Sequence, residues 1–309
     1  MALVAIPADE PVDPEGTIDW VGAYLGVGAL ILFNFVWKCV SPRLYLLILQ
    51  YSSFSSQAPI VGWSSVYEIV LLIISIIHFA AFAYWESRIA KEPILPFKIW
   101  KAPSFGILML TIFFCFMSLG IFFWYMNIYM QTIRHDSLIR TGVQYLPLTI
   151  VGAANAFLAA WLAPRVSAQI VIGIACFAMV AMNTLLATIP THLTYWAMAF
   201  PAMLLSAFTI DLIVTSAQII ASNTVSVKHQ GVAGSLVGTL LSYGLSTGLG
   251  FAGTVEVNTF ADGNDLLHGY HCAAYLAVGL AAAALILGVG FIRIPKDIRE
   301  DTGEVEAKS

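Results

Sequence analysis

The chain has 309 residues, 59% of them hydrophobic and only 10% charged, with a formal charge of −4. Soluble domains carry about 25% charged residues, so this composition excludes an ordinary globular protein and points to an integral membrane protein. No Lys/Arg-rich block is present, which argues against a nucleic-acid partner.

Residues 1–17 are acidic and proline-rich (Asp9, Glu10, Pro11, Asp13, Pro14, Glu15) and read as a cytosolic start. A hydrocarbon core about 30 Å thick needs roughly 20 apolar residues in a helix. Eight stretches reach that length: Ile18–Trp37, Ser64–Trp85, Phe105–Met130, Val143–Leu162, Ala168–Thr188, Tyr195–Ile220, Val232–Val257 and Cys272–Ile292. They are too long for membrane strands and lack alternation of period two, which argues against a closed barrel. The expected fold is all-α: a polytopic membrane helix bundle of about eight transmembrane helices. With both termini inside, ten Lys/Arg fall in inner segments and four in outer ones, the bias that sets orientation. Between the first two spans, Lys38–Ser56 holds an apolar run, Leu44–Leu49, too short to cross and too greasy for an exposed loop. It reads as a re-entrant or interfacial piece, or as sequence foreign to the protein.

The sixth span carries one carboxylate, Asp211. A charge at bilayer depth costs roughly 2.5–3.5 kcal/mol even on the lenient insertion scale, so it is expected to face protein or water. Asp211, Thr215, Gln218 and Ser222 recur at spacings of four, three and four, which puts them on one side of a helix. A spanning helix with one wet face implies a hydrated pathway, and that points to transport. Asp211 has two readings: a proton-coupling group whose protonation is switched by access and by substrate, or a permanent hydrogen-bonding group between helices.

Polar stripes recur on other spans: Thr111, Cys115, Ser118, Tyr125 and Tyr129; Tyr145, Thr149, Gly152 and Asn155; Ser235, Thr239, Ser242 and Ser246. Such faces line ligand cavities, yet small hydroxyl residues also act simply as glue between helices. Tyr125, Tyr129, Asn155 and Gln218 are the candidates for a substrate cavity. Glycine crowds the seventh span, where Gly234-xxx-Gly238 and Gly244-xxx-Gly248 are spaced for close helix packing. Glu256 closes that span and reads as solvated. His78 stands alone in mid-span and reads as a hydrogen-bonded core residue.

The four cysteines, Cys39, Cys115, Cys176 and Cys272, show neither a C-x-x-C pair nor zinc spacing, and neither a disulfide framework nor a bound metal is expected. Nothing resembles a nucleophile elbow, a zinc helix or a phosphate loop, so neither an enzyme nor a cofactor is expected.

Several stretches resemble fungal transporters of the major facilitator superfamily, of the fourteen-helix drug:proton antiporter type. They are IDWVGAYLGVGALILFNFVW, EPILPFKIW, FFWYMNIYMQTIR followed by RTGVQYLP, TIDLIVTSAQIIASN, and HQGVAGSLVGTLLSYGLSTGLGFAGTVE, together covering most of residues 15–295. The nearest branch by resemblance contains low-affinity ammonium transporters and drug or metabolite pumps. The resemblance implies two six-helix bundles joined by two extra helices. Residues 18–103 would be the joining pair, with the anomalous insert at 38–56, residues 104–292 the C-terminal bundle, and 293–309 a cytosolic tail. A missing N-terminal bundle would then be a partner, alongside a small-molecule substrate, protons and the lipid bilayer. The family pattern runs from FNFVW almost directly into QAPIVGW, so Lys38–Ser56 resembles translated intron. The implied activity is proton-coupled efflux of drugs or secondary metabolites. The alternatives are a low-affinity ammonium or small-cation transporter, and a non-transporting truncated product. The implied location is the plasma membrane, with the vacuolar membrane as alternative.

Overall fold

Phe105–Ile128 is apolar on every side, and a helix of that kind has to be surrounded. In the computed structural model of the chain it is the centre of the bundle. The structure describes residues 19–39, 66–90, 93–100, 102, 104–225, 229–259 and 266–292, and every regular element among them is helical. In chain order these are α1 (Trp20–Cys39), α2 (Val66–Arg88), the single turn α3 (Phe97–Trp100), α4 (Phe105–Ile128), α5 (Leu138–Gln144), α6 (Leu146–Leu162), α7 (Ala168–Ala187), α8 (Ala199–Thr224), α9 (Gln230–Thr259) and α10 (Leu266–Phe291). A π-helical turn, Tyr129–Ile133, continues α4 without interruption. Eight described segments are long and apolar enough to cross a membrane, one for each expected span. The all-helical class therefore holds.

The span boundaries move for local reasons. Pro147 lacks an amide hydrogen, which suits the first turn of α6 and separates that helix from the short α5 before it. Ser137 caps α5, its hydroxyl accepting from the Arg140 amide at 3.3 Å. The expected insert at 38–56 lies outside the described residues except where α1 runs to Cys39, as do 1–17 and 293–309.

Around α4 stand α9 and α10, with α7 behind α10 and α8 behind α7. The α4–α9 crossing is close because glycines face backbone. A Cβ on Gly120 would stand 2.6 Å from the Leu245 carbonyl oxygen, and one on Gly244 would stand 2.9 Å from Phe116 Cβ. Gly248 faces the Met117 backbone at the same junction. Gly238 was expected to pack likewise, but a Cβ there would meet nothing within 4 Å. It sits on the open side of α9, because its face points away from α4. Gly234 is intermediate, 3.4 Å from the Gln218 side-chain oxygen.

Helices α1 and α2 pair with each other and reach the bundle through α9. Phe33 and Phe79 meet edge to face at 6.1 Å, and the Trp85 indole donates to Asp19 Oδ2 at 2.8 Å. Trp37 of α1 packs edge-on to Phe251 of α9 at 4.1 Å. Helix α6 touches mainly α8 and is otherwise largely exposed, with Asn155 and Ala159 its buried residues.

Candidate functional site

Polar residues within the spans fall into two groups, separated by whether the packed bundle encloses them. The first group is sealed. Ser118 donates to the Ala277 carbonyl at 2.8 Å, while Asn183 Nδ2 donates to Ser118 Oγ at 3.0 Å and to the Met179 carbonyl at 2.9 Å. These bonds tie α4, α7 and α10 together with no exposed atom at Ser118 or Asn183. Tyr125 belongs here as well: its hydroxyl donates to Glu256 Oε2 at 2.8 Å, and its ring meets Tyr270 edge-on at 5.6 Å. Glu256 is buried at 5% exposure, not solvated as its place near a span end suggested, and meets the Tyr125 hydroxyl of the neighbouring helix there. Tyr129 is buried too and donates to the Pro190 carbonyl at 3.0 Å. The structure therefore places both tyrosines in the packed interior.

Tyr129 is one tie in a clasp at one end of the bundle. Asp136, on the link from the π turn to α5, accepts from Gln144 Nε2 at 2.9 Å and pairs with Arg140 at 3.2 Å and Arg134 at 3.5 Å. Arg134 donates onward to the Leu193 carbonyl at 2.6 Å, and Tyr195 donates back to the Gln144 carbonyl at 2.6 Å. His271 of α10 contacts the Ile189 carbonyl at 2.9 Å. The α7–α8 connection is thus held from three sides.

The second group is open. Along α8, Leu212, Ile213, Ser216, Ala217, Ile220 and Ala221 are buried, whereas Asp211, Thr215 and Ser222 are half-buried and Gln218 is exposed. The stripe therefore meets the open side of the helix at Gln218, while Thr215 borders a small enclosed space against Ala159 of α6. Helix α6 flanks it on one side, where Asn155 Nδ2 donates to the Ala207 and Phe208 carbonyls, both at 3.1 Å. Those carbonyls lie one turn before Asp211, so Asn155 fixes α6 against α8 at that level. Helix α9 flanks the other side, with Gln218 beside Gly234. Asp211 makes no hydrogen bond or ion pair with any described residue.

The exposed face of α9 continues the seam. Ser235, Gly238, Thr239 and Ser242 are all exposed, and with Tyr243 and with Asn34 of α1 they line an open groove of about 540 Å³. Ser246 donates to Asn34 Oδ1 at 2.9 Å and closes one end. Asn34 and Tyr243 were not among the expected site residues. The signal for Asn34 was in the sequence, as the one amide inside the apolar run of Trp20–Trp37. Among the described residues no cluster of three or more His, Cys, Asp or Glu is arranged to hold a metal.

No family model matches the chain. Among fungal proteins, an uncharacterized MFS-type transporter of Schizosaccharomyces pombe is 30% identical, covering 93% of this chain and 51% of the relative. The low affinity ammonium transporter of Saccharomyces cerevisiae is 32% identical, over 89% of this chain and 49% of its own length. An efflux pump of Aspergillus terreus is 31% identical, over 89% of this chain and 49% of its own length.

The chain belongs to the major facilitator superfamily.

It is a multi-pass membrane protein of that superfamily, and it spans about half the length of the curated relatives it matches. Within that family frame, the seam on α8 and α9 is a wall, not a finished cavity. It supplies an acid, an amide and hydroxyls along one surface, groups suited to reversible hydrogen bonding.

Proposed function

We propose that the chain forms one wall of a proton-coupled export pathway for small organic molecules. The observation that carries this reading is the stripe on α8. Four polar residues, three half-buried and Gln218 exposed, share one side of a 26-residue apolar helix, and a second polar face on α9 adjoins them. A carboxylate kept there with no described partner is placed to exchange protons with water in the pathway. Asp211 is the coupling group. Gln218 contributes to the substrate wall, and Asn155 holds the α6 flank in place beneath Asp211. Tyr125 and Tyr129 act on the pathway only indirectly, by fixing the C-terminal end of α4 and the turn after it. Transport of this kind needs a second bundle facing the seam, so that substrate and proton shift the balance between inward-open and outward-open states. That bundle is the partner we assign, and the plasma membrane is the location.

The name of the Aspergillus terreus relative supports efflux, whereas that of the yeast relative supports ammonium transport. Proteoliposomes separate the two. The chain, alone and co-reconstituted with the N-terminal half of a relative, is assayed for flux of organic compounds and of ammonium under an imposed proton gradient. We expect organic flux that follows the gradient and is lost in Asp211→Asn, with exchange at zero gradient retained. Ammonium flux alone would favour the second reading, and unchanged gradient dependence in Asp211→Asn would remove that residue from coupling. No flux with either half would leave a non-transporting protein.

A further inference from the structure

One buried acceptor at the contact between α6 and α8 is left without a donor, and it lies beneath the one carboxylate of α8. We propose that Asn155 is a positioning residue for the proton on Asp211: when that carboxyl is protonated, its O–H donates to Asn155 Oδ1. The proposal deepens the transport reading and rests on it for its place in a transport cycle.

Asn155 is 2% exposed. Its Nδ2 donates to the carbonyls of Ala207 and Phe208, each at 3.1 Å, so both amide hydrogens are committed and the orientation of the amide is fixed. Oδ1 is buried and has no hydrogen-bond partner among the described residues. Leaving such an acceptor unpaired costs free energy, which a donor brought to it would recover. Helix geometry sets Asp211 over the same spot. At 3.6 residues per turn, position 211 stands about 40° past 207 and about 60° short of 208, between the two carbonyls that Asn155 holds. Side chains on a helix lean toward its N-terminus, so the one at 211 covers the turn that carries 207 and 208. Asp211 itself is half-buried and bonds to no described residue.

An ionised carboxylate only accepts hydrogen bonds and repels a carbonyl oxygen, whereas a protonated one has a hydroxyl to donate. The unpaired oxygen of Asn155 therefore tells the two forms apart and favours the protonated one. The proton comes from water in the pathway, binds one carboxylate oxygen and returns to water on release, with no other covalent bond made or broken. While bound, it adds a third hydrogen bond where α6 meets α8, so loading tightens that contact. No neighbouring charge competes for this role. Helices α7, α6, α9 and α4 pack against α8, and none of them carries Lys, Arg or His. Their one carboxylate, Glu256 of α9, accepts from Tyr125 of α4. Cys115 of α4 and Cys176 of α7 face each other at 3.6 Å, and Tyr243 of α9 stacks on Phe113. Arg165, beyond the end of α6, is bonded to the Trp161 carbonyl, and His229 comes after the end of α8, roughly three turns beyond Asp211.

The test is infrared spectroscopy of the chain in lipid nanodiscs, titrated with acid. The carboxylic-acid C=O band of Asp211 is the one that disappears in Asp211→Asn. We expect Asn155→Leu to displace that band and to move its titration midpoint to lower pH by about one unit, a tenfold fall in proton affinity, as loss of one hydrogen bond would. Asn155→Gln, which keeps the amide, should restore part of both. Asn183→Ala removes a different buried amide and should leave band and midpoint in place, which separates a bond to Asp211 from a general loosening of the bundle. Asparagine labelled with carbon-13 at the side-chain carbonyl needs no Leu variant to fold: acidification should shift the Asn155 amide band in the parent chain and not in Asp211→Asn. No Asp211 band at any pH, a band and midpoint unmoved in Asn155→Leu, or an equal displacement in Asn183→Ala would overturn the proposal. Gradient-driven flux without any effect of Asn155 on the Asp211 band would overturn it and leave transport standing. A displaced band in a chain that carries no flux would sink the transport reading and leave the assignment of Asn155 intact.

Discussion

Helices α4 and α9 lie against each other and follow opposite rules. Most of the Phe105–Ile133 span is buried, α4 is apolar all round, and its Ser118 and Tyr125 are tied to α7, α9 and α10. Most of the Gln230–Thr259 span is not buried; it packs through glycine on one side and presents hydroxyls on the other. The contrast teaches that a polar residue inside a span is not by itself a functional sign. What separates Ser118 from Ser242, or Asn183 from Asn34, is whether the side chain is enclosed by the bundle. Ser118 and Asn183 are joined to each other and to backbone carbonyls, whereas Ser242 and the Asn34 amide face open space.

The strongest way to break the contrast is at the contact between the two helices. Gly248→Val would drive a branched side chain into the Met117 backbone, which cannot retreat as a flexible side chain would. We expect a loss of about 3 kcal/mol or more, because overpacking against backbone exceeds the usual cost of an added methylene. Loss of the monodisperse peak in fluorescence-detected size exclusion, or a large drop in melting temperature, would register it. A variant as stable as the parent would show that α4 and α9 do not pack in this way.

Asp136→Ala comes next, since the Asp136 side chain is 3% exposed and gathers Arg134, Arg140 and Gln144. Removing one partner from a buried ionic cluster costs about 3–5 kcal/mol. Arg140 is 64% exposed and solvent screens its share, so about 2 kcal/mol is the expected loss. Amide exchange should rise in the α7–α8 connection specifically, because the Arg134 bond to Leu193 loses its anchor. Uniform exchange across the molecule would contradict a local clasp.

A smaller effect sharpens the distinction between filled and open polar groups. Asn183→Ala removes two buried donor bonds and should cost about 1 kcal/mol, the scale measured for polar contacts between membrane helices. Asp211→Asn should leave the melting temperature unchanged, since no described residue bonds to that carboxylate. If the two substitutions destabilise equally, Asp211 is glue and the seam is not a pathway.

How much of this was legible beforehand follows from what each feature depends on. The eight spans could be read because bilayer thickness and hydropathy fix them within one segment of chain. The open face of α8 was legible for the same reason: Asp211, Thr215, Gln218 and Ser222 declare a common side by spacing alone. The fate of Tyr125, Tyr129 and Glu256 was not, because it depends on which residues other helices bring near. Tyr125 and Glu256 are 131 residues apart in sequence and 2.8 Å apart in space. The glycines show the limit most sharply, since Gly234-xxx-Gly238 and Gly244-xxx-Gly248 have the same spacing but only the second pair meets backbone.

That last difference supports the finest test. A Cβ on Gly238 would enter open space, and alanine is the better helix former by about 1 kcal/mol. Gly238→Ala should therefore be neutral or slightly stabilising in a thermal melt, whereas Gly244→Ala, with Phe116 Cβ only 2.9 Å away, should lower the melting temperature. A stability loss at Gly238 equal to that at Gly244 would mean that another surface covers this face of α9, and the groove would then have to be redrawn as a helix contact.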